Sequence, residues 1–167
     1  MELNQPAPDF ALPDLDGRIH HLSDERGRIA IVNFWSCECP HSERTDRSLA
    51  ASLTRWGDRV TLLSIAANRS ETAEAVAGAA RARALPRVLL DVDQAAADLY
   101  DAQTTPHVFV VNADGVLRYR GAVDDISFRQ REATRAFLEE AVDALLSGRE
   151  PSPAETPAYG CTIVRAG

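Results

Sequence analysis

The chain contains no lysine: all 18 of its basic residues are arginines, set against 25 acids for a net charge of −7. Those arginines are scattered from Arg18 to Arg165 and form no stripe, so the electrostatic footprint of a nucleic-acid binder is missing. No run of apolar residues is long enough for a membrane-spanning helix, which needs about 18 or more. The N-terminus MELNQPAPDF lacks both the basic start and the apolar core of a signal peptide. The expectation is a cytoplasmic protein without membrane or nucleic-acid partners, although a chain relieved of an export signal would read the same. Cysteine is scarce as well. Cys37, Cys39 and Cys161 are too few and too oddly numbered for a disulfide framework, and a close pair in a reducing compartment more often does redox or metal chemistry. What is present is ordinary: 45% hydrophobic and 26% charged residues in a chain of 167. That length suits one domain, and at that size about two thirds of the unfolded surface can be buried without a metal or disulfide staple.

Hydrophobic patterning then supplies the elements. DFAL and RIHHL flank Asp16-Gly17, a dipeptide that favours a hairpin turn. The runs Ile29–Trp35 and Val60–Ala67 are continuous, apolar and rich in β-branched residues, as strands covered on both faces are. A helix follows the first run, carrying Leu49, Leu53 and Trp56 at helical spacing and stopping at Gly57. An alanine-rich helix is expected to open at Ser70, with Glu71 and Glu74 in its first turn, and to reach about Ala84. VLLDV reads as a third parallel strand, Gln94–Tyr100 as a short helix, and HVFVV with VLRYRG as a hairpin across Asn112–Gly115. Ser127–Leu146 reads as one long helix, on whose apolar face lie Phe128, Ala133, Phe137, Ala141 and Leu145. Strands alternating with helices imply an α/β sandwich around a mixed sheet. The expected division is residues 1–147 as the domain and 148–167 as a proline-containing tail with Cys161.

The chemistry concentrates in Trp35-Ser36-Cys37-Glu38-Cys39-Pro40-His41-Ser42, between the first buried strand and the first long helix. A cysteine at a helix N-terminus faces unpaired backbone N–H groups, which favour its thiolate. Cys39 holds that place, and Pro40 suits the first helical turn. A protonated His41 would favour the thiolate further, and Glu38 would oppose it.

NFWSCECPHS resembles the active-site segment of the thioredoxin superfamily, and Ala7-Pro8-Asp9-Phe10 through Asp16-Gly17 resembles the opening of its redoxin (AhpC/TSA-like) branch. A second anchor, Thr104-Thr105-Pro106 through Asp114-Gly115, is similar to the family segment whose proline is cis and lies against the nucleophilic cysteine. The resemblance implies a thioredoxin fold over residues 6–147. It also implies that Cys39 is the nucleophile, and that Trp35, Ser36, Thr105 and Pro106 lie at the substrate. Thr105 would offer backbone groups to a bound strand.

The departures are equally informative. Ser42 stands where the family carries its second, resolving cysteine, so C-P-H-S is a monothiol site. A lone thiolate can form a mixed disulfide, but releasing it takes another thiol. Cys37 and Cys161 both qualify. The thirteen residues Arg149–Cys161, if extended, reach about 40 Å at roughly 3.3 Å per residue. Asn33 replaces the buried aspartate that serves thioredoxins as proton acceptor.

The expected activity is thiol–disulfide exchange with a disulfide-containing protein or a low-molecular-weight thiol, without cofactor or metal. A peroxiredoxin-like peroxidase would use Ser36 beside Cys39, but Val32 stands at its proline position and its arginine is missing near Thr105. A metal- or metalloid-binding module would draw on Cys37, Cys39 and His41 as soft ligands. A silent thioredoxin-like adaptor is the third alternative.

Overall fold

The computed structural model describes all residues, 1–167. Five strands form the central sheet in the order β5-β4-β3-β7-β8. β3 (Ile29–Trp35) lies in the middle, parallel to β4 (Val60–Ala66) and antiparallel to β7 (His107–Val111). β5 (Val88–Leu90) continues the parallel side, and β8 (Leu117–Gly121) closes the antiparallel side through the β7–β8 hairpin. Every residue of β3 is buried, as its unbroken apolar run requires.

Alternation along β3 sends its side chains into two cores. Val32 and Phe34 face a core shared with Phe109, Tyr100, the N-terminal hairpin residues Phe10 and Leu12, and Ile163 from the tail. Ile31 faces the other, where Leu49 and Trp56 of α1 (Pro40–Trp56) meet Leu138 and Val142 of α4 (Phe137–Leu146). α2 (Ala73–Ala82) covers Trp35, Ala66 and Val88 near the end of the sheet. α3 (Ala95–Leu99) packs Ala96 and Ala97 into the first core. The expected N-terminal hairpin is β1 (Ala11–Pro13) paired with β2 (Ile19–His21).

Three expectations about the chain path need correction. α4 begins at Phe137, ten residues later than the apolar spacing implied, and Phe128 is 89% exposed. Asp125 explains this: its carboxylate accepts the N–H groups of Thr134 and Arg135 and the Thr134 hydroxyl, folding 125–135 into a loop. An aspartate that binds nearby backbone N–H groups competes with helix formation. Likewise α2 starts at Ala73, where Thr72 caps the Ala75 N–H at 3.1 Å, so Ser70 and Glu71 lie ahead of the helix. Finally, two strands had no pattern to announce them. β6 (Thr104–Thr105) pairs antiparallel with β9 (Cys161–Thr162), which brings the tail back across the domain.

Candidate active site

Strand β3 delivers Trp35 to the C-terminal edge of the sheet, and the chain turns through Ser36–Glu38 into α1. Cys39 is the helix N-cap, with extended backbone (φ −86°, ψ 121°), Pro40 in the first turn, and its carbonyl accepting the Glu43 N–H at 3.1 Å. Its sulfur lies 3.1 Å from the carbonyl oxygen of Thr105. The Thr105–Pro106 peptide is cis. The sulfur thus lies between the N-terminal end of α1 and the carbonyl of the cis-proline loop.

Cys39 is only 2% exposed, because the tail lies over it. Thr105 and Cys161 are opposite each other in the β6–β9 ladder, and Cys161 is disulfide-bonded to Cys39 with Cα atoms 6.2 Å apart. Gly160 is the closest point of the crossing: a Cβ there would sit 2.2 Å from the Thr105 carbonyl oxygen. Beyond the disulfide the tail is held independently. Ile163 donates its N–H to Gln103 O at 3.1 Å and buries its side chain to 3% exposure. Val164 donates to Asn68 Oδ1 at 2.8 Å and accepts from Gln94 Nε2 at 2.8 Å.

Cys37 stands in a different setting. Glu71, in the turn before α2, brings one carboxylate oxygen to three donors of the loop: Ser36 Oγ at 3.0 Å, Cys37 N–H at 2.5 Å and Glu38 N–H at 3.3 Å. From the other side Arg83 donates to the Cys37 carbonyl at 2.7 Å and to Asp46 at 3.2 Å, with its guanidinium 5.4 Å from the centre of the Trp35 ring. Burial pushes the Cys37 thiol up, the Glu71 carboxylate adds to it as acceptor and as charge, and the result is about 12. Burial also raises Asp46, which accepts the Trp35 indole N–H at 2.8 Å.

The remaining candidates fall into place around this frame. Ser42 is buried, and its hydroxyl accepts the Ser36 N–H at 3.2 Å, so the residue at the second-cysteine position braces the loop. Trp35 and Ser36, expected at the substrate, are buried with the tail in place, the first between Asp46 and Arg83 and the second against Glu71. Burial and then the nearby Arg44 guanidinium push the His41 pKa down, which disfavours the protonated ring. The His41 ring stands edge-on to Tyr159 of the tail, centroids 5.2 Å apart. The would-be soft-ligand trio diverges, with Cys37 turned to Glu71, Cys39 bonded to Cys161 and His41 against Tyr159. Asn33 is fully buried, and neither polar atom of its side chain has a partner. Glu71 and Arg83 are the residues sequence reasoning missed. They lie 34 and 46 positions beyond Cys37, and nothing in the local pattern of either sets it apart from a solvated helix charge.

Thiol:disulfide interchange protein DsbE of Allochromatium vinosum is 30% identical over 128 residues, 73% of this chain and 68% of that protein. Thiol-disulfide oxidoreductase ResA of Bacillus subtilis is 28% identical over 110 residues, 65% of this chain but only 61% of the relative's own length. Among solved structures, a hypothetical protein from Sinorhizobium meliloti 1021 superposes with a TM-score of 0.89 at 30% identity, covering 100% of this chain and 97% of that one. No helix here is long and apolar enough to cross a membrane. The AhpC/TSA family profile matches residues 3–120, and with a thioredoxin-type sheet ending in a capped cysteine beside a cis-proline, the chain belongs to the AhpC/TSA family.

Proposed function

We propose that the chain is a thiol–disulfide oxidoreductase in which Cys39 is the nucleophile and Cys161 the resolving thiol. One observation carries the reading: a two-strand ladder between the tail and the cis-proline loop sets Cys161 against Cys39. The similarity to proteins named as thiol–disulfide oxidoreductase and thiol:disulfide interchange protein supports it.

The electrons balance over two exchanges. The Cys39 thiolate attacks one sulfur of a substrate disulfide, forming a mixed disulfide and expelling the other substrate sulfur as a thiolate. The Cys161 thiolate then attacks the Cys39 sulfur and expels the second substrate thiolate. The substrate gains two electrons, and the enzyme is left with the Cys39–Cys161 bond. Run backwards, the same steps oxidise a dithiol. Because Ile163 and Val164 hold the tail without help from the disulfide, reduction leaves Cys161 docked beside its target. Such positioning replaces a second bimolecular step by an intramolecular one.

The same docking defines the substrate. Thr105 and Pro106 form the edge that would hold a substrate strand, and β9 already occupies it. A small disulfide needs the tail lifted only at Cys161, because Cys39 is 2% exposed beneath it, whereas an extended polypeptide must displace the whole of β9 from Thr104–Thr105. The peroxidase reading is weakened by Ser36, whose hydroxyl is buried on Glu71 rather than turned to a peroxide. In a cytosolic setting the reducing thiol pools would keep the pair cycling, and in an oxidising compartment it would persist closed. Trapping tests the mechanism: a Cys161→Ser variant incubated with oxidised glutathione should accumulate one glutathione on Cys39. Absence of that adduct, or disulfide turnover that survives Cys39→Ser, would overturn the proposal.

A further inference from the structure

We propose that Glu71 is a positioning residue that selects the partner of Cys39: it keeps Cys37 out of thiol exchange and so reserves the pairing for Cys161. This deepens the oxidoreductase reading and rests on it. Two cysteines lie within reach of Cys39, and proximity along the chain favours Cys37, two residues away. The structure nevertheless pairs Cys39 with a residue 122 positions distant. The loop geometry accounts for that choice. Residue 37 is tied at both backbone groups, its N–H to Glu71 and its carbonyl to Arg83. Glu71 also fixes the next N–H and the preceding hydroxyl. Turning Cys37 toward Cys39 would require the loop to rotate and break this set, and hydrogen bonds to a charged acceptor are the stronger kind.

The carboxylate has a second effect. The groups that face the Cys37 sulfur are Glu71, Glu38 and Arg83, two negative and one positive. Otherwise Cys37 is half-buried against the apolar cluster of Trp35, Ala66, Val76, Ala80 and Val88. A thiolate formed there would have a carboxylate at hydrogen-bond range, so the thiol keeps its proton. Since only the thiolate attacks a disulfide, Cys37 is held unreactive by charge as well as by tether.

The test reads Cys37 in the oxidised protein, where it is the one free thiol, so its outcome does not depend on whether Cys39 turns over a substrate. The rate of alkylation by iodoacetamide is followed against pH. In the native chain it should climb about tenfold per pH unit with no plateau below about pH 10, far beyond the ordinary cysteine inflection near 8.5. Glu71→Gln keeps an acceptor oxygen for the loop and removes the charge but not the burial, so its profile should shift to lower pH than the native one. A structural brace alone would leave the two profiles superimposed. Glu71→Ala, reduced and then reoxidised with oxidised glutathione, should give a Cys37–Cys39 product alongside Cys39–Cys161. A native plateau near the ordinary value, superimposed native and Glu71→Gln profiles, or a Glu71→Ala product containing only Cys39–Cys161 would each overturn the assignment. The native profile needs no variant to fold.

Discussion

The loop Ser36–Glu38 and the tail Gly160–Ile163 each bring a cysteine to the nucleophile, and they hold it by different means. In the loop, side chains from distant elements grip the backbone: Glu71 from one side and Arg83 from the other. In the tail, the β6–β9 ladder and the Ile163 N–H join backbone to backbone, the Ile163 side chain is sunk in the core, and the Asn68 and Gln94 side chains hold Val164 just beyond. The consequence is chemical. A thiol gripped by a carboxylate is kept protonated, whereas Cys161 is presented by a strand directly to the Cys39 sulfur. Nearness in sequence therefore does not decide which sulfur resolves the adduct.

The contrast can be broken most severely at the two sulfurs. Cys161→Ser should slow release of the second substrate thiol by roughly 100-fold or more, while Cys37→Ser should leave it within about twofold, measured in single turnover of the pre-reduced enzyme with a small disulfide. Comparable losses from both variants would erase the distinction between the regions. Next comes the tail's anchor. Ile163→Ala leaves a gap in the core shared with Phe34 and Phe109, and removing such a side chain costs about 2–5 kcal/mol. Denaturant unfolding checks that figure, and faster proteolysis of residues beyond Arg149 should accompany it.

A pH effect sharpens the same comparison. His107 accepts the Gln103 N–H at its Nδ1, 3.2 Å away, at the end of β6 where the tail docks. Burial pushes its pKa down to about 4. Between its ordinary value near 6.5 and about 4, the unfolded chain takes up a proton that the folded chain refuses, so stability falls as pH is lowered through that window. The contribution is at most about 3.5 kcal/mol, since a tenfold change in proton affinity corresponds to about 1.4 kcal/mol. A His107→Gln variant should flatten that part of the stability curve, and the loop around Cys37, which has no such acceptor, should be unaffected. Gly160→Ala acts on the crossing itself: its methyl would meet the Thr105 backbone carbonyl, so β9 must shift away, and overpacking of this kind costs about 1–3 kcal/mol or more. The expected readout is a Cys39–Cys161 bond that forms more slowly on reoxidation and is reduced more readily.

Much of this is legible in the sequence, and the reason differs from element to element. β3 and β4 announce themselves because a strand buried on both faces must be apolar throughout, and Ile29–Trp35 and Val60–Ala66 are nearly so. Cys39 stands out because a helix cap, a proline and a family-like segment coincide there. Cys161 is reachable only as one of two candidates, from chain length and an odd cysteine count, since a two-residue strand carries no periodicity. The helix expected from Ser127 does not form because Asp125 offers its backbone a better partner than the next turn would. Glu71 and Arg83 are invisible for a physical reason: their role lies in contacts made across folded space, and their own stretch of chain records only charge.

The central claim is that Cys39 exchanges with Cys161 during turnover, and peptide mapping tests it most directly. Protein quenched in mid-reaction with a small disulfide, alkylated and cut after arginine yields Cys37 and Cys39 on one peptide, 29–44, and Cys161 on another, 150–165. The account expects these two peptides joined through Cys39, with Cys37 alkylated once denaturation exposes it. A link confined to the first peptide, or all three thiols alkylated after the substrate is consumed, would contradict it.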